Sequence, residues 1–176
     1  MIMGKNKKIH FGKIHQSMRG FFGFQLFNIM REDENIYLLM GDLGYGLFNK
    51  HRASMPDRCI NVGAAEQCML DIGVGIAQSG KIPIIYSITP FLIYRPFETI
   101  RTYIDHENIK ILMVGGGRDK DYQNDGWSHH ATDVKPFMNL FKNIEKYYPK
   151  DKEEIDYNYV KDLIYSDKPI YINLKR

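Results

Sequence analysis

The chain has 176 residues, of which 44% are hydrophobic and 26% are charged, and its formal net charge at pH 7 is +3. This composition is typical of one folded domain that buries enough apolar surface to do without disulfide or metal crosslinks. The charge is too small to indicate nucleic-acid binding, and every apolar stretch is far shorter than the roughly 18 residues that span a membrane. We expect one domain over residues 1–176, located in the cytoplasm, that binds neither nucleic acid nor membrane.

Short apolar runs alternate with stretches of helical periodicity along the chain. The predicted strands cover residues 35–40, 58–62, 81–87, 108–114 and 169–174. The predicted helices cover residues 14–31, 64–79, 91–106, about 132–141 and about 153–165. This alternation predicts an α/β fold of three α/β/α layers with a mainly parallel sheet.

Ligands of parallel sheets bind at the loops that leave the carboxyl ends of the strands. The candidate loops are residues 41–58, which include a polar stretch at 49–56, and residues 63–66, 89–97 and 115–130. Two of these loops are rich in glycine, at 41–46 and 115–117, but neither matches a nucleotide-binding spacing. Tight backbone turns are the simpler explanation for these glycines.

The sequence contains no convincing metal-binding pattern. Cys59 and Cys68 are too few for a disulfide framework or a four-ligand zinc site. His129, His130 and Asp133 are close in sequence, but their spacing matches no zinc pattern. We therefore predict no metal site on this chain.

Glu66 follows a predicted strand and falls in the first turn of the next predicted helix. The free N–H groups at a helix start stabilise a carboxylate there, so Glu66 on its own is explained as a helix cap. Phe91, Tyr94 and Phe97 recur at every third residue and are expected to converge on one face of a helix or turn. On their own, these three rings are explained by core packing.

Several short motifs resemble the pyrimidine-binding domain of the transketolase family, which includes deoxyxylulose-phosphate synthase. They are Met18-Arg19, the loop at Asp42, residues 61–67, residues 80–83, residues 126–129 and the terminal residues 171–176. Their order and spacing agree with the family over nearly the whole chain. The resemblance implies the thiamine-diphosphate-binding fold, in the form of the module that holds the pyrimidine ring of the cofactor.

The resemblance implies catalytic roles for two residues. Glu66 corresponds to the glutamate that shares a proton with the aminopyrimidine ring of thiamine diphosphate and so activates the cofactor. His129, in the loop at residues 124–129, corresponds to a histidine that faces the reacting carbon and assists proton transfer. Trp127 and Ser128 replace a proline and a threonine of the family, so the shape of the substrate channel is expected to differ.

Cofactor-binding residues are implied on two further loops. Asp42 and Leu43 correspond to residues that lie over the cofactor. Phe91, Tyr94 and Phe97 correspond to aromatic residues that line the pyrimidine pocket, where a planar ring stacks and water is excluded.

The implied substrate site combines Asp125, His129 and Arg176. Asp125 corresponds to an aspartate that contacts a sugar hydroxyl group. Arg176 corresponds to a terminal arginine that contacts a substrate phosphate, although it is also explained as an exposed chain end. A sugar or sugar phosphate is therefore the expected substrate.

The second half of a thiamine-diphosphate site is not found in this sequence. The family holds the diphosphate and Mg²⁺ through a Gly-Asp-Gly motif followed later by an asparagine. The resemblance therefore implies that a separate diphosphate-binding subunit holds most of the Mg²⁺ site. It also implies self-association in an α2β2 assembly, with this chain as the pyrimidine-binding subunit of a split enzyme.

The expected reaction is transfer of a ketol or acyl unit from a sugar, sugar phosphate or 2-oxo acid donor to an aldehyde. One alternative is a β-type subunit of a 2-oxoacid dehydrogenase or decarboxylase. Another alternative is a noncatalytic protein-binding module derived from the same domain. Asn61-Val62-Gly63 and the loop at residues 125–129 favour the sugar-transferring branch, and retention of Glu66 argues against loss of catalysis.

Overall fold

The computed structural model describes residues 16–176 of the chain. Residues 14 and 15, where the first helix was predicted to begin, and the start of the predicted domain 1–176 lie outside this range. Within residues 16–176, six strands form one sheet in the order β2-β1-β3-β4-β6-β5, with every neighbouring pair parallel. The strands are β1 (Ile36–Met40), β2 (Cys59–Asn61), β3 (Ile82–Ile88), β4 (Leu112–Gly116), β5 (Glu145–Tyr147) and β6 (Ile170–Leu174).

Helices cover both faces of this sheet. They are α1 (Met18–Glu32), α2 (Asn49–Ser54), α3 (Glu66–Gln78), α4 (Thr89–Tyr94), α5 (Phe97–Thr99), a π-helical segment (Ile100–His106), α6 (Val134–Met138) and α7 (Tyr157–Ile164). Helices α1 and α7 pack on one face of the sheet. Helices α3, α4 and α6 and the π-helical segment pack on the other face.

Each central strand contributes to both halves of the core because successive side chains of a strand point to opposite faces. Leu38 and Ile84 belong to the cluster under α1 and α7, whereas Leu39 and Ile85 belong to the cluster under α3 and α4. All four side chains are fully buried. This explains why the strands appear in the sequence as continuous apolar runs, and it confirms the predicted three-layer fold with a parallel sheet.

Three local predictions were wrong. The helix predicted over 91–106 is interrupted, because Pro96 has no backbone N–H to donate and α4 ends at Tyr94. The polar stretch 49–56, predicted as loop, contains α2, whose His51 is buried between the rings of Phe27 and Phe48. Strand β5 was not predicted because its three residues, at the sheet edge, are only half-buried and show no apolar pattern.

The parallel sheet gathers its functional loops at one edge. The loops after β1, β2, β3 and β4 all leave the carboxyl ends of strands that are neighbours in the sheet. Among residues 16–176, none of the helices combines the length and apolar character needed to cross a membrane.

Candidate active site

Glu66 is the first residue of α3 and lies at the carboxyl edge of the sheet, directly after the turn that follows β2. Its residue is only 3% exposed, which is unusual for a glutamate. Nη1 of Arg95 donates a hydrogen bond to its Oε2 at 2.7 Å. The buried carboxylate therefore has a charged partner that sequence analysis did not identify.

Gly41, at the end of β1, passes close to this carboxylate. A Cβ atom at position 41 would lie 3.6 Å from Oε1 of Glu66 and 3.2 Å from the carbonyl oxygen of Gly63. A larger side chain at position 41 would therefore cover Oε1. The bare backbone leaves this oxygen open to a planar ligand from the loop side.

Arg95, Phe91 and His129 continue from Glu66 as one contiguous row, named here the Glu66–His129 row. The guanidinium carbon of Arg95 lies 3.7 Å from the centroid of the Phe91 ring. The Phe91 ring meets the imidazole of His129 edge to face, with 4.9 Å between centroids. The row thus joins an acid, an aromatic face and an imidazole, which are the groups needed for proton transfer beside a planar ligand.

Tyr94 and Phe97 turn toward a different part of the molecule. Their rings lie 4.9 Å and 5.5 Å from the ring of Phe137, which is on α6. The expectation that Phe91, Tyr94 and Phe97 form one aromatic face was therefore wrong, because the chain breaks at Pro96 and α6 packs against the last two rings. Burial, with the Asp133 carboxylate close by, raises the pKa of the Tyr94 hydroxyl and keeps it protonated.

The loop after β1 carries Asp42 and Leu43 beside Gly41. Asp42 adopts a left-handed backbone conformation, with φ of 52°, and its N–H donates to Oδ1 of Asn61 at 2.8 Å. Hydrogen bonds from Tyr45 and Asn61 lower the pKa of the Asp42 carboxyl, so this exposed group is ionised at neutral pH. Leu43 packs against the core under α1 and α7.

The loop at residues 124–129 consists of two short 3-10 turns joined at Gly126, whose φ of +87° favours glycine. Asp125 is exposed, and Trp127 is 76% exposed. The ring of His129 is half-buried and lies 6.2 Å from the ring of Tyr122. The loop therefore presents an anion and an indole to solvent while His129 faces the Glu66–His129 row.

Tyr122 links His129 to two arginines. Nη1 of Arg19 donates to the Tyr122 hydroxyl at 2.6 Å, and the guanidinium carbon of Arg176 lies 4.9 Å from the centre of the Tyr122 ring. The main-chain N–H of Arg176 also donates to Oδ2 of Asp121 at 2.9 Å. Arg176 is thus held beside the loop of His129, and Arg19 adds a second positive charge to the same region.

A buried hydrogen-bonded network fixes the loops that carry Phe91 and His129. The hydroxyl of Thr89, at the start of α4, donates to the carbonyl oxygen of Gly117 at 2.6 Å. Nδ2 of Asn173 donates to Oγ1 of Thr89 at 2.8 Å and to the same carbonyl at 3.1 Å. Arg118 donates from Nε to Oδ1 of Asn173 at 3.0 Å. Strand β6 therefore sets the relative positions of the two site loops.

The glycine run after β4 serves packing as well as turning. A Cβ atom at Gly115 would lie 2.7 Å from Oγ1 of Thr89, and one at Gly116 would lie 2.6 Å from the Tyr86 hydroxyl. Only Gly117 of the three has a positive φ, at +89°. Tight turning, the explanation offered from the sequence, is therefore correct for Gly117 and wrong for the two glycines before it.

Sequence reasoning missed Arg95 and Arg19 as site residues. Arg95 follows Phe91 by four residues, a spacing that places both side chains on the same face of a helix. That spacing was available from the sequence. The contact of Arg19 with Tyr122 was not, because α1 and the loop after β4 are distant in the chain and meet only in the folded sheet.

The fold and the Glu66–His129 row define an α/β domain with an acid–base site at the carboxyl edge of a parallel sheet. Residues 15–176 match the family model described as the transketolase pyrimidine-binding domain. The chain therefore belongs to this family, which confirms the resemblance noted from its motifs.

Relatives with curated names include components of two-part transketolases. One of the two subunits of the apulose-4-phosphate transketolase of Actinobacillus succinogenes is 33% identical over 125 residues, which are 68% of this chain and 38% of that protein. A 6-deoxy-6-sulfo-D-fructose transketolase subunit of a Clostridium species is 27% identical over 152 residues, which are 86% of this chain and 47% of that protein. The chain thus spans less than half the length of these relatives.

Solved structures agree with the fold. A split gene transketolase described as an inactive β4 tetramer is 26% identical, with a TM-score of 0.78 over 91% of this chain and 51% of that chain. The transketolase of Campylobacter jejuni is 18% identical, with a TM-score of 0.79 over 91% of this chain and 26% of that chain. The three-layer arrangement described above is therefore the fold of transketolases.

Proposed function

We propose that this chain is the pyrimidine-binding part of a split, thiamine-diphosphate-dependent transketolase-like transferase that works only with a partner subunit. The observation that carries the proposal is the buried carboxylate of Glu66, set in one row with the Phe91 ring and the His129 imidazole. A single domain over residues 1–176 and a cytoplasmic location remain predictions from the sequence.

The residues of the row fit the aminopyrimidine ring of thiamine diphosphate. A buried carboxylate suits a ring nitrogen that gains and loses a proton, and an aromatic face suits stacking of a planar ring. Gly41 leaves Oε1 of Glu66 uncovered, as the approach of such a ring requires. When bound, thiamine diphosphate supplies the electron sink for breaking and forming a carbon–carbon bond beside a carbonyl group.

The side chains of this chain then have separate tasks. Glu66 holds or releases a proton at the ring nitrogen, and its burial keeps water from competing for that proton. Phe91 stacks on the ring, while Asp42 and Leu43 cover it from the neighbouring loop. Tyr94 and Phe97 support the pocket wall from behind, through their contacts with α6.

A sugar phosphate is the substrate class that the loop side of the site supports best. His129 moves a proton at a substrate oxygen, and Asp125 accepts a hydrogen bond from a sugar hydroxyl. Arg176 and Arg19, which both contact Tyr122, offer positive charge for a phosphate. The proposed reaction is ketol transfer from a keto sugar to an aldehyde.

The sugar-transferring branch is preferred over a β-type subunit of a 2-oxoacid dehydrogenase. The relatives named above are transketolase subunits, and the arginines beside Tyr122 suit a phosphorylated sugar better than a simple 2-oxo acid. A noncatalytic binding module is disfavoured because it would have no reason to keep a buried carboxylate paired with Arg95.

We propose that the partner is a subunit with a Gly-Asp-Gly motif, which binds the diphosphate and most of the Mg²⁺ shell, in an α2β2 assembly. The β4 tetramer of the split gene transketolase is described as inactive, and this supports dependence on a second kind of chain. The exposed Trp127 and Tyr45 lie on loops at the carboxyl edge, where such a subunit would approach.

The proposal is tested by co-expressing the chain with a Gly-Asp-Gly subunit from the same organism. We expect a complex of the mass of α2β2, saturable binding of thiamine diphosphate in the presence of Mg²⁺, and ketol transfer that neither chain catalyses alone. A complex that binds no thiamine diphosphate, or transfer by this chain alone, would overturn the proposal.

A further inference from the structure

Arg95 occupies the space in front of the two groups that are proposed to bind the aminopyrimidine ring. Its Nη1 lies 2.7 Å from Oε2 of Glu66, and its guanidinium carbon lies 3.7 Å from the centroid of the Phe91 ring. This distance is that of direct stacking. One planar cation therefore covers both the carboxylate and the aromatic face.

A planar ring and a guanidinium group cannot share this position. Both would stack on the same face of Phe91, and both would use Glu66 as their hydrogen-bond partner. Binding of the ring therefore requires the Arg95 side chain to leave.

The two partners of the ion pair differ in their freedom to move. The Glu66 side chain is 2% exposed, whereas the Arg95 side chain is 45% exposed. Arg95 also lies just after α4, at the break before Pro96. An arginine in this position can turn toward solvent at little cost, while Glu66 stays fixed by its surroundings.

The ion pair has a clear role while the cofactor is absent. A buried carboxylate without a partner is strongly unfavourable, and Arg95 supplies that partner in the free chain. The same contact reduces the fraction of molecules in which Glu66 and Phe91 are open. The apparent affinity for a ligand falls in proportion to that fraction.

We propose that Arg95 is a built-in competitor of the cofactor, which stabilises the empty site and must be displaced before the aminopyrimidine ring can reach Glu66 and Phe91. The proposal rests on the proposed function, since it concerns the same site. It predicts that removing the guanidinium group makes cofactor binding tighter, whereas a merely structural role for Arg95 predicts weaker binding.

The test uses Arg95→Met, which keeps the length of the side chain and removes its charge, in the complex with the diphosphate-binding subunit. Calorimetric titration with thiamine diphosphate and Mg²⁺ is expected to give a dissociation constant roughly tenfold lower than that of the wild type. Arg95→Lys, which keeps the charge but not the planar group, is expected to fall between them. Thermal melting without cofactor should show a lower midpoint for Arg95→Met, because Glu66 then lacks its partner.

Arg101→Met is the matched control, because Arg101 is an exposed arginine on the π-helical segment and is expected to leave the dissociation constant unchanged. Equal or weaker binding by both Arg95 variants, with normal binding by the wild type, would overturn the competitor role and leave the proposed function intact. If Arg95→Met does not fold, the Arg95→Lys result decides alone. If neither wild type nor variants bind thiamine diphosphate, the proposed function fails, and the competitor role fails with it.

Discussion

The imidazole of His129 meets the ring of Phe91 edge to face, with 4.9 Å between the ring centroids. Phe91 comes from the helix after β3 and His129 from the loop after β4, and these two strands are paired in parallel. The pairing delivers both side chains to one edge of the sheet. This contact separates Phe91, which belongs to the proposed cofactor pocket, from the two aromatic residues that follow it.

Phe91→Ala and Phe97→Ala are therefore expected to act differently. Phe91→Ala should weaken thiamine diphosphate binding in the complex by roughly tenfold or more, because a stacking surface is lost. Phe97→Ala should mainly lower the free energy of unfolding, by about 2 kcal/mol or more, because its ring packs against Phe137 and Phe141. Calorimetry and urea unfolding separate the two effects, and equal loss of affinity in both variants would refute the division.

Asn173→Ala is expected to destabilise the domain by about 1–3 kcal/mol. The side chain of Asn173 is buried and bonded to Thr89, Gly117 and Arg118, so its removal leaves buried polar groups without partners. Asn158→Ala, at an exposed position of α7, is the control and should change the free energy of unfolding little. Equal stability of the two variants in urea unfolding would show that the network does not hold the site loops.

The buried His51 predicts a loss of stability in mild acid. Burial lowers the pKa of His51 to about 4, whereas an unfolded histidine titrates near 6.5. Because the unfolded chain binds the proton more readily, this contribution is complete above pH 6.5 and is lost as the pH falls toward 4. Across that window the free energy of unfolding should decrease by about 3 kcal/mol from this group.

Urea unfolding at a series of pH values between 7 and 4 tests this prediction. His51→Leu, which keeps an apolar group between Phe27 and Phe48, should show a flatter profile over the same window. If the wild type and His51→Leu share the same pH dependence, His51 is not the group responsible.

Arg176→Ala is expected to raise KM for a phosphorylated sugar roughly tenfold, because one positive charge beside Tyr122 is lost. The same variant should change KM for the unphosphorylated sugar little. Steady-state kinetics of the complex with both substrates separate phosphate recognition from a general defect. An equal rise for both sugars would argue that Arg176 has no contact with the phosphate.

The sequence predicted the central strands and the helix that begins near Glu66, because strands buried on both faces leave continuous apolar runs. It did not predict β5 or α2, whose polar residues are held in place by tertiary contacts such as the burial of His51. The order of the motifs placed Glu66, Phe91 and His129 in one site. The ion pair with Arg95 was missed because it depends on how the helix after β3 lies beside α3, which local periodicity does not report.

The central claim is that Glu66 is the acid–base group of a thiamine-diphosphate site, and the most direct measurement is kcat for ketol transfer by the complex carrying Glu66→Gln. Glutamine keeps the size of the side chain but cannot hold or release the proton, so at saturating cofactor we predict a kcat lower by roughly 10²- to 10⁴-fold. Glu98→Gln, at an exposed glutamate of α5, should retain the wild-type rate. Wild-type kcat with glutamine at position 66 would contradict the account.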